Sequence, residues 1–207
     1  MKTMFVLLLA ALALIARPLF AEEFSVDNDG FIRNWLVLAP IPYAGRNNGA
    51  EEIHKAQVKD EGKLKPTLGE KVSVGDEKLE WKMGKAETFY FDFNTWLKQP
   101  PEDKAENFIG YLYCIIMAPD EMPGLEARLG SNDQGRLYLN GKEIFLSEKT
   151  RPISKDEDTA RNVTLQKGEN PIVFKIINEG NDWQACLRFT DKNGTPINNL
   201  KILLPSK

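Results

Sequence analysis

The sequence predicts an all-β protein built as a β-sandwich, and three observations predict it. Apolar, β-branched and aromatic runs of strand length recur along the chain, Gly, Pro, Asn and Asp punctuate them at turn spacing, and no segment sustains a helical apolar period. Of the 207 residues 42% are hydrophobic and 28% charged, which suits one globular domain and excludes a disordered or collagen-like chain.

The N-terminal segment is expected to lie outside the fold. Lys2 precedes an unbroken apolar run from Met4 to Ala16, and Arg17 to Ala21 then leads into the acidic pair Glu22 and Glu23. The run is short of the roughly 20 apolar residues that a membrane span needs, and small Ala21 suits a cleavage site. Residues 1–21 are therefore read as a secretory signal peptide and 22–207 as a single β-sandwich domain, secreted or periplasmic and not membrane-spanning after cleavage. Cleavage removes Lys2 and Arg17, leaving 25 of the 27 basic residues against 30 acids, a balance of -5. That sign and the pI of about 5.4 argue against nucleic acid as a partner.

The elements follow in order. FIRNWLVLA at 31–39 reads as a strand stopped by Pro40 and Pro42, since proline cannot donate to a ladder. Residues 44–65 read as loop, with a weak helical turn near Glu51 to Val58. Glu70 to Val74 and Lys78 to Met83, joined by Gly75, Asp76 and Glu77, predict a hairpin. Thr88 to Phe93 alternates Phe89, Phe91 and Phe93 against Thr88, Tyr90 and Asp92, the pattern of a strand with one buried face. After a proline-containing loop at 98–107, IGYLYCIIMA at 109–118 is apolar on both faces, as in a central strand covered on each side.

RLYLNGKEI at 136–144 carries the sharpest signal, because Asn140-Gly141 supplies the positive φ angles of a type I′ hairpin. Strands are expected at Arg161 to Leu165, Pro171 to Asn178 and Trp183 to Thr190, with a last one ending near Leu204. Cys114 shares a face with Leu112 and Ile116, while Cys186 alternates with Gln184 and Arg188 as on an outer face. A disulfide between them and two separately buried thiols both remain open.

The segments FIRNWLVLAPIP, GEKVSVGDEKLEWK, LGSNDQGRLYLNGKEI, VTLQKGENPIVFKI and DWQACLRFTDKNGTPI together resemble the galactose-binding-domain-like jelly rolls associated with secreted bacterial glycoside-active enzymes. The resemblance covers roughly residues 27–204. Its most specific piece is Gly130-Ser131-Asn132-Asp133-Gln134-Gly135, where Asn132 replaces one expected acid and Gln134 is inserted before Gly135. Gly168-Glu169-Asn170 resembles a Gly-Trp-Asn turn that has lost its aromatic residue. The resemblance implies the fold and a carbohydrate-linked setting.

The chemistry is sparse. His54 is the single imidazole, so triads and multi-histidine zinc sites lack their residues, and no phosphate loop is present. Most of the acids Asp92, Asp120, Glu121, Asp133, Asp156, Glu157, Asp158 and Asp182 fall in expected turns or solvent faces, which suits solvated charge better than a glycosidase pair. Oxygen-rich turns leave a structural calcium ion open, without EF-hand spacing. Asn162-Val163-Thr164 and Asn193-Gly194-Thr195 fit the glycosylation sequon.

Sugar recognition needs flat aromatic faces and a few hydrogen-bonding groups. Trp81, Trp96 and Tyr43 are the expected platforms, with Tyr90 nearby, and Asn132, Asp133 and Arg136 the expected polar rim, with Arg188 a further donor. Trp35 and Trp183, like Phe89, Phe91 and Phe93, are expected in the core. The reading is a non-catalytic carbohydrate-binding or accessory module with a glycan as partner. The alternative is a cell-envelope protein-interaction or assembly module whose strand edges or apolar patch hold an envelope protein.

Overall fold

The computed structural model of the chain describes residues 20–45, 47–99 and 106–206. The signal-peptide reading thus falls mostly on residues outside that set. Phe20 and Ala21 open β1 (Phe20–Ser25), opposite Ser206 and Pro205 of the last strand.

Two antiparallel sheets stack to form the sandwich that the sequence predicts. The larger contains β1, β2 (Asn34–Pro42), β5 (Lys82–Lys85), β7 (Phe108–Ala118), β9 (Gly135–Leu139), β10 (Lys142–Ser147), β12 (Gly168–Asn178) and β14 (Lys201–Ser206). The smaller contains β6 (Phe91–Asp92), β8 (Met122–Asn132), β11 (Asp158–Leu165) and β13 (Gln184–Thr190), and β3 (Lys71–Val74) with β4 (Glu77–Glu80) forms a separate hairpin. Among the described residues no helix is long and apolar enough to cross a membrane.

β7 is the central strand, with β12 along one edge and β2 and β14 sharing the other. Its apolarity on both faces has a cause on each side. Gly110, Leu112, Cys114 and Ile116 share one face with their β12 partners Ile176, Phe174 and Ile172, and this face packs on the smaller sheet. Gly110 is required there: a Cβ would lie 2.5 Å from the Phe93 ring and 2.8 Å from Trp183. Tyr111 and Tyr113 point the other way, under the segment that runs from 47 to 86. Inward residues of the smaller sheet, Leu125, Ala127, Leu129, Leu187 and Phe189, complete the core, each bulky one contributing about 1.5–3 kcal/mol.

Several expectations change. β2 passes through Pro40, because a bulge between Leu38 and Ile41 takes the proline off the ladder, and the strand ends at Pro42. The strand expected over Thr88 to Phe93 is only β6, followed by the short helix α2 (Phe93–Leu97). Asp92 caps α2, its Oδ1 accepting the Thr95 amide at 2.9 Å, which turns the chain after the second of three alternating phenylalanines. Phe91 and Phe93 are buried as expected, whereas Phe89 is only half-buried, its ring against Phe31 and Tyr90. The weak helical turn sits slightly earlier than expected, as α1 (Gly49–Glu52). β8 was not expected at all. The Asn140-Gly141 turn is present, with φ of 52° and 79°.

The cysteines form no disulfide, and both are buried free thiols. Cys114 lies on the inner face of the larger sheet. Cys186 is on the outer face of the smaller one, as its alternation suggests, but the 153–156 segment covers it: a Cβ on Gly130 would lie 2.4 Å from the Ser154 carbonyl and 3.2 Å from the Cys186 sulfur. A sheet therefore stands between the two sulfurs.

Candidate functional site

One end of the sandwich gathers the ends of β2, β8, β10 and β12 with the starts of β7, β9 and β13. The connections there enclose a cleft of about 710 Å³. Asn132 and Asp133 come from the crossing between the sheets, Thr150, Arg151 and Pro152 from the segment after β10, and Glu179, Gly180, Asn181 and Asp182 from the turn after β12; Asn47 and Glu106 complete the wall. Among the described lining residues none is aromatic.

The frame holds its own carboxylates from behind. Asp133 Oδ1 accepts the Arg151 amide at 3.1 Å and Oδ2 accepts the Glu179 amide at 2.9 Å. Glu179 Oε1 accepts the Gly49 amide at 2.9 Å and the Gln134 side-chain amide at 3.3 Å, and Oε2 accepts the Thr150 hydroxyl at 2.8 Å. Gly49 is required for this approach, since a Cβ would lie 2.2 Å from Gln134 Oε1 and 2.8 Å from Glu179 Oε1. Burial raises the pKa of Asp133; the amides of Glu179 and Arg151 oppose the rise, and the Glu179 charge adds to it.

Arg151 brings positive charge to the wall, but its guanidinium turns onto Asp158, Glu157 at 3.5 Å and the Ser131 hydroxyl at 3.3 Å. Asn132 is 7% exposed and lines the cleft, and its Oδ1 is fully buried, without a hydrogen-bond partner among the described residues.

The cleft wall at Asn47 and Gly49 is anchored through the outer layer. Lys175 of β12 is fully buried beneath the 49–63 segment, and its Nζ donates to the carbonyls of Lys55 (2.6 Å), Glu52 (3.1 Å) and Ile53 (3.3 Å). It also pairs with Glu61 at 3.5 Å, whose carboxylate accepts the hydroxyls of Tyr111 (2.6 Å) and Tyr138 (2.8 Å). Desolvation lowers the Lys175 pKa to about 8 despite the Glu61 charge.

Of the expected site residues, the structure brings Asn132 and Asp133 into this cleft. Tyr43 stands beside it, half-buried, its hydroxyl donating to the Asn178 carbonyl at 3.4 Å. Its pKa is raised by burial first, then by the charges of Glu179, Asp133 and Glu52. Arg136 lies elsewhere, on the outer face of the larger sheet, donating to Glu143 at 2.7 Å and lying over the Tyr138 ring. Arg188 is committed to Asp156 and to the Asp29 carbonyl at 2.9 Å.

Trp81 cannot be a platform, since it is 1% exposed. Its backbone bonds to Glu70 and Gly69, which folds the ring edge-on against Tyr113, 6.3 Å away, under the β3–β4 hairpin. Trp96 is half-buried on α2, its indole N–H held by the Met83 carbonyl at 3.1 Å. With Tyr90 it lines a second hollow of about 410 Å³, flanked by Lys85 and Lys98. Hollow and cleft are neighbours, because Asp92 of one and Asn132 of the other both pair with Gln184, about 10 Å apart across β13.

Sequence reasoning missed Asn47, Glu106, Thr150, Arg151, Glu179 and Asn181 as cleft residues. Their signal is only that acid- and amide-rich turns recur at 131–134 and 178–182, and no local pattern shows that these turns meet. Among the described residues no group of three or more His, Cys, Asp or Glu side chains is placed to hold a metal ion.

The fold and the site define a β-sandwich with a polar cleft at its loop end. No family model matches the chain, and no curated protein does. Solved structures similar to it include a β-glucosidase from Kluyveromyces marxianus, at 13% identity and a TM-score of 0.42 over 60% of this chain. Another is a β-glucuronidase from an uncultured Clostridium species, at 15% identity and 0.44 over 84% of this chain. The chain spans only 16% and 31% of those two proteins.

Proposed function

We propose that this chain is an exported, non-catalytic glycan-binding or accessory module of the galactose-binding-like jelly-roll type, working in the periplasm or outside the cell. The observation that carries the reading is the cleft: about 710 Å³, walled by amide, carboxylate and hydroxyl groups. Such a wall suits a polyhydroxylated ligand, whose hydroxyls donate and accept in turn. The neighbouring Tyr90 and Trp96 hollow offers the aromatic face that a second sugar ring would use.

The non-catalytic part rests on Asp133 and Glu179. Each of their oxygens accepts a hydrogen bond from the frame, which gives both carboxylates a structural role. Export rests on the N-terminal apolar run and the residues that follow it.

A glycan array probed with the purified full chain, Asn132→Ala and Trp96→Ala tests the reading. Binding of a defined glycan, weakened about tenfold by Asn132→Ala in a folded variant, is expected. Failure of every glycan, with a co-purifying envelope polypeptide instead, would replace it with the protein-interaction reading.

A further inference from the structure

β10 and β11 are the edges of the two sheets on one side of the sandwich. β10 pairs only with β9 and β11 only with β8, so among the described residues the outer backbone groups of both edges bond to no other strand. The edges run beside each other without a ladder between them. Residues from 139–144 and 161–166 enclose a hollow of about 550 Å³, and 145–149 with Asp158 enclose a second of about 350 Å³. Apolar side chains stay half-exposed along this groove. Phe145 lies opposite the buried Leu137, on the inner face of the larger sheet, and Ile144 occupies the bulge beside it, yet both are only half-buried because the sheet ends at β10.

The charges along the groove are sorted by sign. Glu143 is held by Arg136 at 2.7 Å, Glu148 by His54 at 2.6 Å and Asp158 by Arg151. Lys142 and Lys149 are exposed and form no ion pair among the described residues, and Arg161, 72% exposed, reaches only Glu126 at 3.5 Å. The uncommitted charge beside the free edge is therefore positive.

We propose that β10 accepts an extended, acidic polypeptide segment as an added strand. The backbone of the segment continues the ladder beyond β10, its alternate apolar side chains enter the hollows beside Ile144 and Phe145, and its carboxylates meet Lys142, Lys149 and Arg161. A second copy of the chain is a poorer occupant, because it brings the same uncommitted lysines to the edge. The groove shares no lining residue with the loop-end cleft, so the proposal goes beyond the glycan reading and does not depend on it.

Fluorescence anisotropy of labelled seven-residue peptides titrated with the full chain tests this. The probe alternates valine with aspartate. One control carries lysine in place of each aspartate, and a second carries proline at its three middle positions, which removes donors that a ladder needs. The acidic peptide is expected to bind about tenfold tighter than either control, and Lys142→Glu or Lys149→Glu to abolish its advantage over the basic one. Two exposed substitutions are used so that one that fails to fold does not decide the matter. Equal affinity for the acidic and basic peptides overturns the proposed charge recognition, and equal affinity for the proline peptide overturns strand addition. Binding of no peptide overturns the proposal and leaves Lys142 and the bulges as devices that only blunt an edge. A chain that sediments as a dimer without peptide, and as a monomer once Phe145→Lys is introduced, overturns it in favour of a second copy. None of these outcomes alters the glycan reading, which the array tests separately.

Discussion

Replacing Lys175 with methionine tests the architecture where it is most exposed to failure. The substitution keeps the length of the side chain and removes the ammonium, leaving the carbonyls of Lys55, Glu52 and Ile53 without their common donor and Glu61 without its nearest buried cation. Glu61 keeps the hydroxyls of Tyr111 and Tyr138, with Arg136 at 3.7 Å, so its charge is solvated only in part. Breaking a buried pair in this way costs about 3–5 kcal/mol. For a domain of this size that lowers the melting temperature by roughly 10 °C. Urea unfolding of Lys175→Met, Glu61→Gln and the double variant is the assay, and the double variant should lose less than the two single losses added, by about 1–3 kcal/mol. The pH dependence has a definite sign. Because the folded pKa of about 8 lies below the ordinary 10.5, the unfolded chain holds the extra proton between those values. The stability linked to Lys175 is therefore complete above pH 10.5 and lost as pH falls toward 8, so the gap between parent and Lys175→Met widens as pH rises through that window. Additive losses, or a single variant within 1 kcal/mol of the parent, would refute the reasoning.

Asp133→Asn removes a charge yet should destabilise by about 1–3 kcal/mol in urea unfolding, because an amide can accept from only one of the Arg151 and Glu179 amides and turns a donor toward the other. Gly141→Ala should cost about 1 kcal/mol by the same measurement, since φ there is 79° and an L side chain is strained. Native protein should react with a thiol reagent only on unfolding, and a reductant should leave the melting temperature unchanged. Both cysteines are free and buried, and burial, followed by the Asp156 charge, pushes the Cys186 thiol up to about 12.

The fold was legible because its strongest signals are local. Asn140-Gly141 specifies a turn by backbone chemistry alone, and Ile109 to Ala118 declares a strand covered on both faces before its covers are known. Competing local chemistry accounts for the errors. At 88–93 the alternation of three phenylalanines outweighed the N-cap at Asp92, although Asp is a favoured N-cap residue and its side chain accepts the Thr95 amide. β8 alternates Leu125, Ala127 and Leu129 as a strand should, but Pro123, Gly124 and Gly130 disguise its ends; Gly130 is there because the 153–154 segment presses on it. The candidate site was half legible. Asn132 and Asp133 stand out in the sequence, while Glu179, Arg151 and Asn47 join them only through strand ends that sequence order does not bring together.

That dependence on the assembled fold also shapes the cleft. Its carboxylates serve twice: they tie the crossing at 133, the turn at 179 and the start of α1 into one wall, and they set the negative field inside it. A change of protonation at either carboxylate would loosen that wall. The same coupling reaches Lys175, because the segment it pins from beneath is the one whose Gly49 amide holds Glu179. Loss of the lysine should therefore weaken ligand binding as well as stability, although Lys175 lies among the residues beneath the outer layer and lines no part of the cleft.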